Sequence, residues 1–296
     1  MIKTMRLILA IIISFVGIGI SFAQSIEFSK ETFTFNGNSL PYRKASIPGS
    51  GDKASLVVYL HGGSSRGSDN ETQMNEPGIN SISQWLVEKG RKAIMVVPQC
   101  PSNGAWISLQ QTVKSLLQTF IDRGVADTAK VYIFGGSMGG TGTWNIVAAN
   151  PGFFASAMPV AGNPSGLDAE AVSHTPVYTV MGTADKIMSI SNVEPFFAQV
   201  DTYGGVYKFD VEEGWTHEDV CKNSYTEPRL NWMFSHTGSS SDGIAPLVSS
   251  TSDKILSVEW HDISGRLLPV MPKQHGIYLK TTLFTDGKCE TRKISF

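Results

Sequence analysis

The sequence predicts an α/β fold, a doubly wound and mainly parallel sheet, followed by a small all-β appendage. Three observations carry that expectation. Short unbroken apolar runs, clearest at Ser55–Leu60, Ala93–Val97 and Val131–Phe134, have the character of strands buried on both faces of a parallel sheet. Stretches of helical spacing alternate with them, as in Val113–Arg123, where Val113, Leu116, Leu117, Phe120 and Ile121 share one face. After His236 the composition changes to a Gly/Ser-rich linker and then to strand-like segments with turns at Ser264-Gly265 and Asp286-Gly287.

At 296 residues, with 41% hydrophobic and 17% charged residues, the chain has ample material for one large domain plus an appendage. A net charge of −2 and the lack of any Lys/Arg run argue against nucleic acid as a partner. Residues 1–23 have the pattern of an export leader: Lys3 and Arg6, then the apolar run Leu7–Ile20, then Ser21-Phe22-Ala23. That run is short of the ~20 residues of a membrane span, although an uncleaved anchor is the alternative; no cysteine stands at the cleavage point, as a lipoprotein would need. The expected divisions are a signal peptide over 1–23, a catalytic domain over 24–236, a linker over 237–245 and a β-rich tail over 246–296. The mature chain is thus expected to be exported, extracellular, at the cell surface or periplasmic, with no stable membrane span. Three cysteines do not make a disulfide framework. Cys100 and Cys221 are expected either as two buried free thiols or as a bridge, and Cys289 has no evident partner.

Taken in order, Asn36-Gly37-Asn38 sits between two alternating stretches and predicts a hairpin of strands Ile26–Phe35 and Leu40–Ile47. A turn is expected over Pro48–Lys53 and a strand over Ser55–Leu60, ending in His61-Gly62-Gly63. Ser64–Ser81 is polar and loop-like, Ile82–Lys89 a short helix, and Ala93–Val97 a strand broken by Pro98. Helix Val113–Arg123 and strand Val131–Phe134 lead to a helix over Thr143–Asn150 that Pro151 ends. Strands follow at Ala155–Val160, Pro176–Met181 and Tyr207–Val211, with a helix over Phe196–Tyr203. Glu212–Glu218 reads as a loop and Tyr225–Ser235 as the closing helix.

Gly135-Gly136-Ser137-Met138-Gly139 fills the pattern G-x-S-x-G between a strand and a helix, the context of a nucleophile elbow. A glycine-rich turn of a nucleotide-binding domain is the alternative, but the segment lacks both G-x-G-x-x-G spacing and a Lys-Ser/Thr pair. A serine hydroxyl is barely ionised at neutral pH, so Ser137 needs a base, and that base needs an orienting acid. Asp185 directly follows a predicted strand and His217 lies in the loop after the last one, giving the Ser–Asp–His order of α/β-hydrolases. Both then fall beyond the carboxyl ends of the strands, where open α/β sheets place their sites. Asp168 and Asp201 compete less well because neither directly follows a buried strand, and Asp219 is too close to His217 in sequence. His174, His236, His261 and His275 are poorly placed. The backbone N–H groups of Gly62, Gly63 and Met138 are the candidate oxyanion donors. His61, Trp106 and Trp215 are candidate substrate contacts, with a structural, loop-orienting His61 and a core-edge Trp106 as the alternatives. No metal-ligand motif and no cofactor signature is present.

Five segments, LHGGSSRGSDN, VVPQCPSNGAW, KVYIFGGSMGGTGTW, MGTADKIM and GWTHEDV to WMFSH, occur in an order that resembles secreted α/β-hydrolase esterases. The similarity, over roughly residues 35–236, is to feruloyl and acetylxylan esterases, polyhydroxybutyrate depolymerases and predicted peptidases or phospholipase/carboxylesterase-like proteins. Ser64-Ser65 departs from the Ala/Gly-Glu that relatives often carry before Arg-Gly. The resemblance implies a secreted serine esterase acting on acyl substituents, with a small-molecule or polysaccharide ester as substrate. A serine peptidase of related fold and an inert surface-displayed binding protein are the alternatives. VEWHDISGRLL, HGIYLK and DGKCETRKISF are similar to the β-rich sorting domains of type IX secretion, which implies secretion machinery as a partner; a small carbohydrate-binding or Ig-like module is the other reading.

Overall fold

The computed structural model describes residues 26–238, 255–268, 277–284 and 289–295. The leader, most of the linker, the Asp286-Gly287 turn and His275 lie outside the described residues. The described residues fall into two compact units, divided between Ser240 and Ser241.

In the first unit an eight-stranded sheet has the order β1-β2-β4-β3-β5-β6-β7-β8. Strands β1 (Ser29–Phe35) and β2 (Asn38–Ile47) form the expected hairpin, and β2 lies antiparallel on β4 (Arg91–Pro98). From β4 the sheet is parallel through β3 (Ser50–Leu60), β5 (Ala126–Gly136), β6 (Ser156–Val160), β7 (Val177–Gly182) and β8 (Tyr207–Glu212).

The unbroken apolar runs have a direct explanation in the two cores. Leu56, Val58 and Leu60 of β3 join Val131 and Ile133 of β5 on one face, while Val57 and Tyr59 join Tyr132 and Phe134 on the other. Alternate side chains of a strand point to opposite faces, so covering both faces requires apolar residues at every position. Helices α2 (Gln110–Asp122), α3 (Met138–Ala149) and α5 (Glu194–Thr202) supply apolar residues to the first core. Helices α1 (Pro77–Glu88) and α7 (Glu227–Met233) supply them to the second.

Several boundaries differ from the sequence expectation. The turn over Pro48–Lys53 is largely strand: Ser50 already pairs with Arg91, and the ladder resumes after an irregularity at Ser55. Helix α1 begins at Pro77, inside the expected loop, because proline lacks the N–H that a first helical residue leaves unpaired anyway. Two short helices add to the expected elements, α4 (Ala169–Ser173) and α6 (His217–Asn223). The second unit is a four-stranded antiparallel sheet, β10-β9-β11-β12, built from β9 (Ile255–Asp262), β10 (Leu267–Leu268), β11 (Ile277–Phe284) and β12 (Cys289–Ser295).

Candidate active site

Ser137 stands between the end of β5 and the start of α3 with φ 58° and ψ −118°. A non-glycine residue in this region costs about 1–3 kcal/mol and persists only where its surroundings fix it. Here the flanking backbone is packed too closely for side chains. A Cβ on Gly135 would lie 2.4 Å from the Gly139 carbonyl oxygen, and one on Gly139 would lie 1.9 Å from that of Leu60. The two glycines therefore let strand and helix meet at an angle that leaves the Ser137 hydroxyl at the carboxyl edge of the sheet.

The three separate segments that carry Ser137, Asp185 and His217 converge there. His217 Nε2 lies 2.8 Å from Ser137 Oγ, and His217 Nδ1 lies 2.8 Å from Asp185 Oδ2. The Asp185 side chain is fully buried and that of His217 is 16% exposed. Asp185 Oδ1 accepts the N–H groups of Ile187 at 2.8 Å and Met188 at 2.9 Å, so both carboxylate oxygens are engaged. With an ionised Asp185 on Nδ1, the imidazole carries its proton there and presents a lone pair on Nε2 to the serine.

The loops bearing Asp185 and His217 are tied together by backbone. Thr183 N–H donates to the Glu212 carbonyl at 3.0 Å, Ala184 N–H to that of Trp215 at 3.1 Å, and Gly214 N–H to Thr183 Oγ1 at 2.8 Å. His217 itself is the first residue of α6, whereas the sequence predicts a loop there. A capping box fixes that start: Asp219 N–H donates to Thr216 Oγ1 at 3.3 Å, and Thr216 N–H donates back to Asp219 Oδ2 at 3.0 Å. The Thr216-x-x-Asp219 spacing is the signal that could have revealed this helix. Asp168, a lesser candidate for the acid, instead caps α4 by accepting Glu170 N–H at 2.9 Å.

The oxyanion loop needs one correction. Gly62 N–H donates to Glu76 Oε1 at 2.9 Å, so that donor is already taken. Gly63 and Met138 both line a cavity beside Ser137. Met138 is also the first residue of α3, where backbone N–H groups have no intrahelical acceptor. These two are the donors the geometry leaves. Glu76, in sequence only one polar residue of a loop, is thereby part of the site's support.

Of the three candidate substrate contacts, Trp106 lines that cavity, whereas His61 and Trp215 do not. His61 is fully buried; its Nε2 accepts Cys100 N–H at 2.9 Å and its Nδ1 pairs with the Gly62 carbonyl at 2.7 Å. Burial above all, with the Arg66 charge adding, holds its pKa at about 4 against the opposing Gly62 carbonyl, so His61 is a neutral brace for the loop. Trp106 is 1% exposed and donates its indole N–H to the His61 carbonyl at 3.0 Å, so it is a buried wall of that cavity rather than an open platform. Trp215 is half-buried under the Arg229 guanidinium, 5.9 Å from its ring centroid, and does not line the cavity. Cys100 and Cys221 are free thiols, the former buried and the latter half-buried, so the bridge does not form. Burial, with the Glu76 and Asp185 charges adding, pushes the Cys221 thiol up to about 12, far from the reactive thiolate range.

The cavity beside Ser137 has a volume of about 340 Å³. Ile107, Thr141, Asn145 and Met188 line it with the residues already named. Thr141 and Met188 fall within the segments KVYIFGGSMGGTGTW and MGTADKIM, but nothing in the sequence brings these four residues, which lie apart along the chain, to one cavity.

No protein-family model matches the chain, and no curated protein matches it in sequence. Solved structures do match. A thermostable esterase is 25% identical with a TM-score of 0.65, over 71% of this chain and 63% of its own. A mutant feruloyl esterase module from Clostridium thermocellum, complexed with sinapinate, is 18% identical with a TM-score of 0.58, over 73% of this chain and 90% of its own. An acylaminoacyl peptidase from Pyrococcus horikoshii is 12% identical with a TM-score of 0.55, over 75% of this chain and 44% of its own. This chain thus spans less than two thirds of the length of the thermostable esterase. The fold, a mostly parallel eight-stranded sheet with helices on both faces, is that of the α/β-hydrolases.

Proposed function

We propose that this protein is a serine hydrolase that cleaves carboxylic esters through an acyl-enzyme on Ser137. The observation that carries the reading is the continuous hydrogen-bonded path Ser137–His217–Asp185, with both links at 2.8 Å. In the first half-reaction the Ser137 Oγ–carbonyl carbon bond forms while His217 Nε2 takes the serine proton. The carbon–alkoxy oxygen bond then breaks, and His217 passes that proton to the departing oxygen. In the second, a water oxygen bonds the acyl carbon as His217 takes its proton, the Oγ–carbon bond breaks, and the proton returns to Ser137. Asp185 stabilises the imidazolium in both halves, and the N–H groups of Gly63 and Met138 stabilise the oxyanion.

Esterases among the similar structures support an ester as the bond cleaved. The similarity to an acylaminoacyl peptidase keeps a serine peptidase as the second reading. The leader-like segment over 1–23 and the β-rich tail favour action outside the cytoplasm, and ester-substituted polysaccharide is the substrate class that exported esterases of this resemblance imply.

Hydrolysis of p-nitrophenyl esters, methyl ferulate and a peptide panel by the full chain, beside Ser137→Ala and His217→Ala, tests the proposal. Ester turnover that falls by ~10³-fold or more in each variant is expected. Turnover of peptides alone would transfer the mechanism to a peptidase, and silence on both panels would leave a binding protein.

A further inference from the structure

The cavity beside Ser137 has a chemistry of its own. Trp106, Ile107, Met138 and Met188 give it apolar walls, and no charged side chain lines it. Two polar side chains besides Ser137 line it, both neutral: Asn145 Nδ2 donates to the Thr141 carbonyl at 2.7 Å, and Thr141 Oγ1 accepts Asn163 N–H at 3.1 Å. His217 and Asp185 do not border it.

Which part of a substrate belongs there follows from the tetrahedral intermediate. Its carbon carries Ser137 Oγ, the oxyanion, the leaving oxygen and the acyl substituent. The leaving oxygen must face His217 Nε2 to receive its proton, and the oxyanion must face the backbone N–H groups of Gly63 and Met138. The cavity touches Ser137, Gly63 and Met138 but not His217. The one substituent left for it is the acyl group. At about 340 Å³ it lies near the lower end of ligand-site volumes, ~300–1,000 Å³. At roughly 30 Å³ per water-sized group, that is room for on the order of ten heavy atoms, so an acetyl group would leave most of it empty.

We infer that this cavity is the acyl site and takes an uncharged, apolar acyl group, alkyl or aryl, of on the order of ten heavy atoms, with Ile107 and Met188 setting its length. The inference rests on the serine-hydrolase reading above and narrows it. Ile107 is 58% exposed at the rim, and Met188 is held by its own N–H on Asp185 Oδ1, so the acid loop and the acyl wall are one element. An acyl group bearing a carboxylate or an ammonium would lose hydration in this cavity with no opposite charge in return. The same wall therefore selects against substrates with a free charged amino terminus.

The test is kcat/KM of the full chain for p-nitrophenyl acetate, butyrate, hexanoate and hydrogen succinate. Each buried methylene should contribute about threefold to fourfold, so hexanoate should exceed acetate by on the order of 100-fold. Hydrogen succinate, close to butyrate in length, should fall to or below acetate. Met188→Trp should lower the hexanoate-to-acetate ratio by about tenfold or more. Ile107→Ala, at an exposed position where folding is not at risk, should lower the same ratio several-fold. A preference for acetate, or equal use of hydrogen succinate and butyrate, would overturn the acyl assignment while leaving a serine hydrolase standing. Silence on all four esters, together with no labelling of Ser137 by a fluorophosphonate, would remove the hydrolase reading and this inference with it.

Discussion

The backbone N–H of Gly62 and the carboxylate of Glu76 meet at 2.9 Å, and the same Glu76 oxygen accepts the Ser65 hydroxyl at 2.7 Å. One carboxylate oxygen thus holds two points of the loop that follows β3. The loop is in turn close to the serine: a Cβ on Gly62 would lie 3.7 Å from Ser137 Cβ. A donor that looks catalytic in sequence is therefore used to position its neighbour, Gly63.

Removing that anchor should damage turnover more than binding. Hydrogen bonds to a charged group are worth about 1.5–3 kcal/mol, so Glu76→Ala should lower kcat on the order of 10- to 100-fold with KM little changed. Glu76→Gln keeps an oxygen acceptor for both donors and should recover most of that loss. Kinetics well below the melting temperature of each variant check this, and an unaltered kcat in Glu76→Ala would show that the loop is held by other contacts.

Asp185→Asn should be far more damaging than its shape suggests. The Ile187 and Met188 N–H groups require an oxygen at the Oδ1 position. The carboxamide introduced there would satisfy them with its carbonyl and turn its NH₂ toward His217 Nδ1. The imidazole must then carry its proton on Nε2, where it cannot accept one from Ser137. A fall in kcat of about 10⁴-fold is expected, as for a triad locked in the wrong tautomer. Imidazole nitrogen NMR shifts should show the tautomer change directly, and activity near wild type would exclude this role for Asp185.

His61 should contribute to stability in a defined pH window. Its folded-state pKa of about 4 lies below the ordinary value of 6.5, so between these values the unfolded chain binds a proton that the folded chain does not. Stability therefore rises with pH across that window and is lost as pH falls through it, by about 1.4 kcal/mol per pH unit and roughly 3 kcal/mol in all. The His61 ring resonances should remain those of a neutral imidazole from pH 8 down to about 5. A midpoint near 6.5 would refute the burial account.

The parts of this protein that local chemistry dictates are legible in its sequence. Strands buried on both faces announce themselves as unbroken apolar runs, and Ser137 declares itself through the glycines that a close strand–helix contact demands. Asp185 and His217 can be chosen because each follows a strand on the edge where sites form. Contact between distant segments has no such local signature. Glu76 reaches Gly62 across a loop whose Pro77-Gly78 mimics a turn although Pro77 starts a helix. Trp106, which an exposed platform would have suited, is buried because its indole N–H finds the His61 carbonyl. Met188 acquires a place in the cavity only because the loop turns on Asp185 Oδ1.

Arg229 tests whether the base loop depends on the packing behind it. From α7 its guanidinium pairs with Asp210 at 2.8 Å and with Glu212, both at the end of β8, while Asp210 also accepts the Tyr178 hydroxyl at 2.8 Å. The same guanidinium lies over the Trp215 ring, and the Trp215 carbonyl holds Ala184 beside Asp185. Arg229→Met would leave two neighbouring carboxylates without their cation. Both are about a third exposed, so water offsets part of the loss, and about 2–3 kcal/mol is expected, below the 3–5 typical of fully buried pairs. For a domain of this size that lowers Tm by roughly 4–12 °C. Arg229→Lys restores the charge but not the fork that reaches both carboxylates, so it should recover only part of the difference. If the base loop leans on this contact, kcat at 25 °C should fall in both variants, in the order of their melting temperatures. A lowered Tm with wild-type kcat would mean that the capping box of α6 alone suffices to place His217.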